Sequence, residues 1–123
     1  MTTILELKRQ AESGDTEAML KLAKAYLQGN GVEKDLGKGL EWILEAAENG
    51  NVEAMAAMAD AYRKGEEFEK AFYWSEKAAN QGRAMSMYNL SVHYREGLGV
   101  SASKEKHHYW YERARQNGFP PSS

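Results

Sequence analysis

The chain has 123 residues, the size of one ordinary domain, and its 16 basic and 18 acidic side chains give a formal charge of -2. Both signs are spread along the sequence, so no basic stripe favours a nucleic-acid backbone. The lack of cysteine excludes disulfides, thiolate zinc sites and a cysteine nucleophile, and no apolar run approaches the roughly 18 residues of a membrane span.

The first residues do not have the pattern of a signal peptide. Charged side chains begin at Glu6, and no long apolar stretch follows. We therefore expect a cytoplasmic protein. The alternative is a secreted protein whose leader has been removed.

Internal repetition is the strongest signal in the sequence. Four helical runs end in glycine, at Gly14, Gly50, Gly82 and Gly118, with spacings of 36, 32 and 36 residues. The same residue types recur at fixed distances after these glycines, which predicts three copies of one unit. The recurring positions are Ala18, Ala54 and Ser86; Leu22, Met58 and Leu90; Tyr26, Tyr62 and Tyr94; Lys38, Lys70 and Lys106; Trp42, Trp74 and Trp110; and Ala46, Ala78 and Ala114.

Each unit is predicted to be a pair of helices. Positions 4, 8 and 12 after the closing glycine share one helical face, and each tryptophan shares a face with the alanine four residues later. Gly29, Gly65 and Gly97 should end the first helix of each unit with a positive φ. The second helix should begin after Asp35, Glu67 or Ser103, of which glutamate is the weakest N-cap.

The fold class is therefore predicted as all-α, with a lone helix before three helix–turn–helix repeats. We expect one repeat domain over residues 1–123. Its parts are a capping helix at 1–13, repeats at 14–50, 51–82 and 83–118, and a tail at 119–123. The second repeat lacks a counterpart to residues 29–32, so its hairpin should be tighter.

These residues resemble Sel-one-like repeats, a family related to tetratricopeptide repeats. The first unit has the family pattern as Ala18, Leu22, Tyr26, Gly29-Asn30-Gly31-Val32, Asp35, Lys38, Trp42, Ala46-Ala47 and Gly50. The resemblance covers residues 11–118 and implies a right-handed α/α superhelix. It also implies a role as an adaptor or scaffold for proteins, which is the usual role of members of the family. Gly39 and His107 depart from it, because they stand where the family has the alanine that Ala71 keeps. Gly39 should cost about 0.5–1 kcal/mol of helix propensity, and His107 should loosen the local contact or point outward.

Both ends of the array have polar residues where inner repeats have core residues. In the first helix Glu6 occupies the tryptophan position and Gln10 the alanine position, whereas Arg115 replaces the Ala47 and Ala79 position. A repeat array needs polar outer faces at its ends. We therefore expect a complete array of three units with a cap at each end.

The predicted partner site follows from the resemblance, because the first helices of such superhelices line the concave face. The outward positions in the third unit are unusually apolar, and exposed apolar patches often mark a partner site. The residues predicted to bind a peptide or protein there are Leu20, Lys24, Leu27, Asp60, Arg63, Met85, Tyr88, Val92 and Arg95. The alternatives are that Met85 and Val92 are buried against the second helix of their unit, or that the patch forms a homodimer.

No arrangement for catalysis, a cofactor or a metal is apparent. His107 and His108 are adjacent and point about 100° apart on a helix, so they cannot share a metal as an i, i+4 pair would. Ser91 and His93 are two residues apart and do not face each other. We expect the three histidines to form a polar edge near the C-terminal end, with no metal and no cofactor bound.

The aromatic residues Tyr109 and Tyr111, with Phe119 beyond them, are interpreted as covering the open end of the array or pairing two copies. The function predicted from the sequence is a non-catalytic adaptor or scaffold that binds another protein, not a nucleic acid or a membrane. The alternative is an immunity or inhibitor protein that neutralises a toxin or enzyme by direct binding.

The capping role of the first helix gives a stability prediction. Deleting residues 1–10 should clearly lower the melting temperature, because the apolar face that the helix covers would become exposed to water. Thermal unfolding of the full and shortened chains measures the effect. An unchanged melting curve would show that the first helix does not act as a cap.

Overall fold

Residues 3–120 are described by a computed structural model, in which they form α-helices and no strand. The helices are α1 (Ile4–Glu12), α2 (Thr16–Gln28), α3 (Leu36–Glu48), α4 (Val52–Lys64), α5 (Phe68–Asn80), α6 (Ala84–Glu96) and α7 (Lys104–Gln116). This confirms the predicted all-α fold. Across residues 3–120, none of the helices has the length and apolar character needed to cross a bilayer. Residues 121–123 of the predicted tail lie outside the described part.

The described residues fold as two compact units that divide between Met55 and Ala56, so α4 contributes to both. In the first unit α2 packs against α1 and α3, and in the second α6 packs against α5 and α7. The recurring apolar positions form each core. Leu22 and Ala46 in the first unit, and Leu90 and Ala114 in the second, are completely buried. Burying a leucine side chain in this way contributes about 1.5–3 kcal/mol.

One backbone hydrogen bond closes the helix pair in every repeat. The amide that precedes the second helix donates to the carbonyl of the recurring tyrosine near the end of the first helix. These pairs, each at 2.9 Å, are Asp35 with Tyr26, Glu67 with Tyr62, and Ser103 with Tyr94. The bond fixes where the second helix begins, whatever the length of the intervening turn.

The recurring lysine completes the same junction. It lies one turn into the second helix and places its ammonium over the ring of the recurring tyrosine, in the geometry of a cation–π contact. The distances from Nζ to the ring centroid are 5.6 Å for Lys38 and Tyr26, 5.4 Å for Lys70 and Tyr62, and 5.5 Å for Lys106 and Tyr94. The repetition of this lysine therefore has a structural reason.

Two of the three predicted side-chain N-caps of the second helices form. The Asp35 carboxylate accepts a hydrogen bond from the Lys38 amide at 3.0 Å, and the Ser103 hydroxyl accepts one from the Lys106 amide at 3.2 Å. Glu67 makes no such side-chain bond. Its longer side chain is a poor cap, as the sequence indicated.

The expectation that Gly65 ends a helix with a positive φ is wrong. Gly29 and Gly97 have φ values of 68° and 72°, whereas in the second repeat Glu66 carries the positive φ, at 59°. The Gly65 amide still donates to the Ala61 carbonyl, as in a continuing helix. Because the turn is four residues shorter, the chain reverses one residue later and at a non-glycine residue.

The two unusual residues in the alanine position are accommodated in different ways. A Cβ atom on Gly39 would lie 2.6 Å from Cδ2 of Leu27, so glycine is required for Leu27 to pack there. His107 does not point outward. It is half-buried, and its Nδ1–H donates to the Ser91 carbonyl at 2.9 Å.

The tryptophan positions differ in burial although they recur. Trp74 is buried, whereas Trp42 and Trp110 are only half-buried. These two rings therefore contribute to the surface as well as to the core.

The position of the positive φ gives opposite predictions for two glycines. Gly97→Ala should lower the free energy of unfolding by about 1–2 kcal/mol, because a side chain is strained in the left-handed region. Gly65→Ala should be neutral or slightly stabilising, since its φ lies outside that region and no atom outside its immediate chain surroundings lies closer than 3.7 Å to the added Cβ. Urea unfolding of both variants measures the difference.

The Gly97 variant also serves as a control for crowding. Its added Cβ would meet neighbours only at 3.6 Å or beyond, so backbone strain alone should explain its loss of stability. Equal losses in the two variants would contradict the assignment of the left-handed residue to Glu66.

Candidate functional site on α4 and α6

The predicted partner residues of the first unit differ in exposure. Leu20 and Leu27 are half-buried, and only Lys24 is well exposed. Leu27 packs into the space above Gly39 on α3. Leu27 therefore takes part in helix packing.

Three predicted residues of the second unit do come together. Asp60 and Arg63 on α4, with Val92 on α6, line a small cavity of about 180 Å³. The other lining residues are Ala56, Ala59, Ser75, Asn89, His93 and Leu98. The cavity has an apolar floor, one amide and an ion pair at its rim, which is the usual composition of a recognition site.

The remaining predicted residues lie elsewhere on α6. Met85 is 45% exposed, so it is not buried against α7. Arg95 pairs with its neighbour Glu96 at 3.2 Å.

The ring of Tyr88 is half-buried rather than free. Its centroid lies 5.3 Å from that of Phe119 and 6.2 Å from that of Tyr111. Tyr111 and Phe119 thus cover Tyr88, whereas Tyr109 remains 54% exposed.

The rim of the cavity carries a local charge pair. The Asp60 carboxylate accepts from Arg63 and lies 3.0 Å from the Lys64 ammonium. Partial burial alone would raise the pKa of Asp60, but the hydrogen bonds and charges of Lys64 and Arg63 outweigh it and lower the pKa. Because both side chains are about half exposed, the pair contributes little to stability and a partner can displace it.

His93 forms the inner wall of the cavity and is only 3% exposed. Its Nδ1–H donates to the Leu98 carbonyl at 2.8 Å, which leaves Nε2 as the acceptor 3.5 Å from the Ser75 hydroxyl. Burial lowers the pKa of His93 below its ordinary value of 6.5, and the positive charge of Arg63 lowers it further. The ring is therefore neutral at pH 7 and anchors the turn after α6.

The expectation that His93 belongs to a polar edge is wrong, and the sequence contained a signal of its burial. The corresponding positions in the first two repeats are the small residues Ala25 and Ala61. A ring in that position needs extra room. Ser75 helps to provide this room, because it is a small residue at the place where the first repeat has the larger Ile43.

Ser75 and His93 do not have the arrangement of an activated nucleophile and its base. Both are only 3% exposed, and the imidazole is oriented by a backbone carbonyl rather than a carboxylate. Within residues 3–120, no three acidic or histidine side chains are placed to hold a metal ion.

Comparison with known proteins identifies the architecture. The Sel1 repeat model matches the chain at residues 16–51, 52–82 and 84–119. The chain belongs to the Sel1 repeat family. Proteins of this family generally mediate protein–protein interactions and act as non-catalytic scaffolds.

Solved structures of the family are closely similar. A Sel1 repeat protein from Oxalobacter formigenes superposes with a TM-score of 0.88 at 32% identity, over 95% of this chain and 91% of that one. A protective antigen of uropathogenic Escherichia coli that displays an SLR fold gives 0.85 at 35% identity, over 96% of this chain and 26% of its own.

A shorter sequence match extends over roughly one repeat. The secretory immunoglobulin A-binding protein EsiB of Escherichia coli O6:H1 is 44% identical over 41 residues. The match covers 33% of this chain and 8% of EsiB, so the chain spans only a small part of that relative.

Burial of His93 predicts a pH dependence of stability. As the pH falls through about 6.5, the unfolded chain binds a proton at this residue and the folded chain does not, so the free energy of unfolding decreases. His93→Asn, whose amide can still donate to the Leu98 carbonyl, should reduce this acid-induced loss. Urea unfolding across this pH range measures the slope.

His108→Asn is the matched control, because it removes an exposed imidazole from α7. It should keep the wild-type slope. If His93→Asn keeps the wild-type slope as well, His93 is not the residue that destabilises the protein in acid.

Proposed function

We propose that this chain is an interaction module that binds a peptide or protein segment on the α4–α6 surface, defined here as Asp60, Arg63, Asn89 and Val92 around the small cavity. The observation that carries the proposal is the cavity itself. Its apolar lining lies next to an ion pair that a partner can displace. Interfaces of this kind combine an apolar centre with a polar rim.

The cavity limits the kind of partner segment. Its volume of about 180 Å³ admits one aliphatic or small aromatic side chain. The adjacent Arg63 guanidinium can exchange Asp60 for a carboxylate of the partner, with bidentate geometry. Asn89 can bond to an extended backbone. We therefore propose a segment with an apolar residue next to an acidic one.

Two buried side chains form the inner wall of the cavity. His93 and Ser75 are fixed in the interior, and His93 also ties down the turn that contains Leu98. A preformed site loses less conformational entropy on binding than a mobile one. Interior hydrogen bonds therefore hold the inner wall of the proposed binding site in place.

Site-specific photo-crosslinking tests the location of this surface. A benzoylphenylalanine at position 64 should cross-link a partner in a lysate of the source organism, because Lys64 is exposed beside Asp60 and is not among the residues that define the surface. The same group at position 104, on the exposed start of α7, is the control. Mass spectrometry identifies the adduct, and a captured toxin would favour the immunity-protein alternative.

A pair of variants then tests the chemistry with that identified partner. Arg63→Glu with Val92→Asp should weaken binding at least about tenfold, since it repels a carboxylate and places a charge on the apolar floor. Lys104→Glu should bind like the wild type. Circular dichroism confirms that all three chains are folded. Equal affinity of the double variant and the wild type would show that this surface does not bind the partner.

A further inference from the structure

The first unit contains an open cleft that the α4–α6 surface does not include. Its volume is about 620 Å³, and it lies between the end of α1 and the outer side of α3. Aromatic and acidic side chains line it, together with one lysine. They are Tyr26, Trp42, Glu12, Glu41, Glu45 and Lys38.

The other two repeats show what normally covers the tryptophan at this place. In the second repeat Lys77 lies 5.8 Å above the Trp74 ring and 5.1 Å above the ring of Tyr73. Tyr73 and Trp74 meet edge to face with centroids 5.1 Å apart. A cation three residues after the tryptophan is thus held by two aromatic rings.

The third repeat has the same arrangement with arginine. The guanidinium of Arg113 lies 5.0 Å from the Trp110 ring and 5.7 Å from the Tyr109 ring. Tyr109 and Trp110 again meet edge to face, at 5.2 Å. Two independent copies of the motif therefore place a cation over the indole.

The first repeat has the tryptophan without the cation. Glu41 replaces the tyrosine and Glu45 replaces the lysine or arginine. Trp42 remains half-buried and faces the cleft, and among residues 3–120 no basic side chain is placed over its ring. These two replacements reverse the charge beside the indole. They also leave open the place that a cation occupies in the second and third repeats.

We propose that this cleft binds an arginine side chain of a protein partner. The guanidinium takes the place over Trp42 that Arg113 takes over Trp110, and Glu41 and Glu45 accept its hydrogen bonds. Arginine fits better than lysine because its planar fork stacks on an indole and donates to carboxylates at the same time.

The charge of the cleft supports a cationic occupant. Three carboxylates line it against one ammonium, that of Lys38, which lies over Tyr26 as the corresponding lysines do in the other repeats. Lys38 is therefore part of the helix junction and not a substitute for the missing cation. The carboxylates of Glu12, Glu41 and Glu45 remain to receive a guanidinium.

The three tryptophans allow a test within one molecule. The full chain labelled with ¹⁵N is titrated with an acetylated and amidated peptide of three arginines separated by glycine and serine. The indole N–H signal of Trp42 should shift with a dissociation constant on the order of 1 mM or tighter. Those of Trp74 and Trp110 should stay in place. The matched peptide has citrulline, which keeps the shape and removes the charge, and should give no shift.

Two variants sharpen the assignment. Glu45→Lys restores the cation of the other repeats and should abolish the response of Trp42. Glu48→Lys makes the same charge change at an exposed position of α3 outside the cleft and should lose no more than about twofold in affinity. Tyr109→Glu with Arg113→Glu copies the first repeat into the third, and the signal of Trp110 should then respond.

The proposal is overturned if Trp42 does not shift, if the citrulline peptide shifts it equally, or if Glu45→Lys leaves the response intact. This site does not rest on the α4–α6 surface. Arg63→Glu with Val92→Asp changes only the second unit and should leave the Trp42 response unchanged, so failure of either proposal can be recognised separately.

Discussion

The hydrogen bond from the amide before each second helix to the carbonyl of the recurring tyrosine is the constraint on which each repeat depends. It fixes the start of the second helix relative to the end of the first. The lysine one turn later then meets the tyrosine ring in every repeat. The second repeat omits four residues of the turn and keeps the bond, at the cost of a left-handed Glu66. Turn length is free to vary because the junction, rather than the turn, sets the geometry.

The size of one residue on the second helix decides which side chains of the first helix face the solvent. In the first repeat the missing Cβ of Gly39 admits Leu27, so a residue at an outward position becomes part of the packing. In the third repeat His107 fills the corresponding place and bonds to the Ser91 carbonyl. The same first-helix position is therefore half-buried at Leu27 and exposed at Arg95. Helical period alone does not distinguish these two situations.

This explains why the fold was more predictable than the site. Each core position occurs three times, so Ala46, Ala78 and Ala114 support one another as evidence for packing, and all three are completely buried. Surface positions occur once each. Asp60, Arg63 and Val92 share a cavity, as their common face suggested, but the cover that Phe119 gives Tyr88 comes from a residue beyond the last repeat. The burial of His93 depended on the small Ser75 of another helix, a contact between residues far apart in sequence.

Positions that break the repeat are the places where this chain can acquire its own specificity. A residue that packs in every unit is constrained by the same neighbours each time, whereas a side chain at the surface of one unit is not. The position three residues after the tryptophan shows this freedom, because it holds Glu45, Lys77 and Arg113 in turn. Where it is basic, the chain covers its own indole. Where it is acidic, the indole lies beside carboxylates and, among the described residues, has no cation over its ring. A partner molecule can then supply the positive charge. A change of charge at this one surface position thus replaces a cation of the chain itself with a site that favours a cationic partner. The packing beneath the position is not altered.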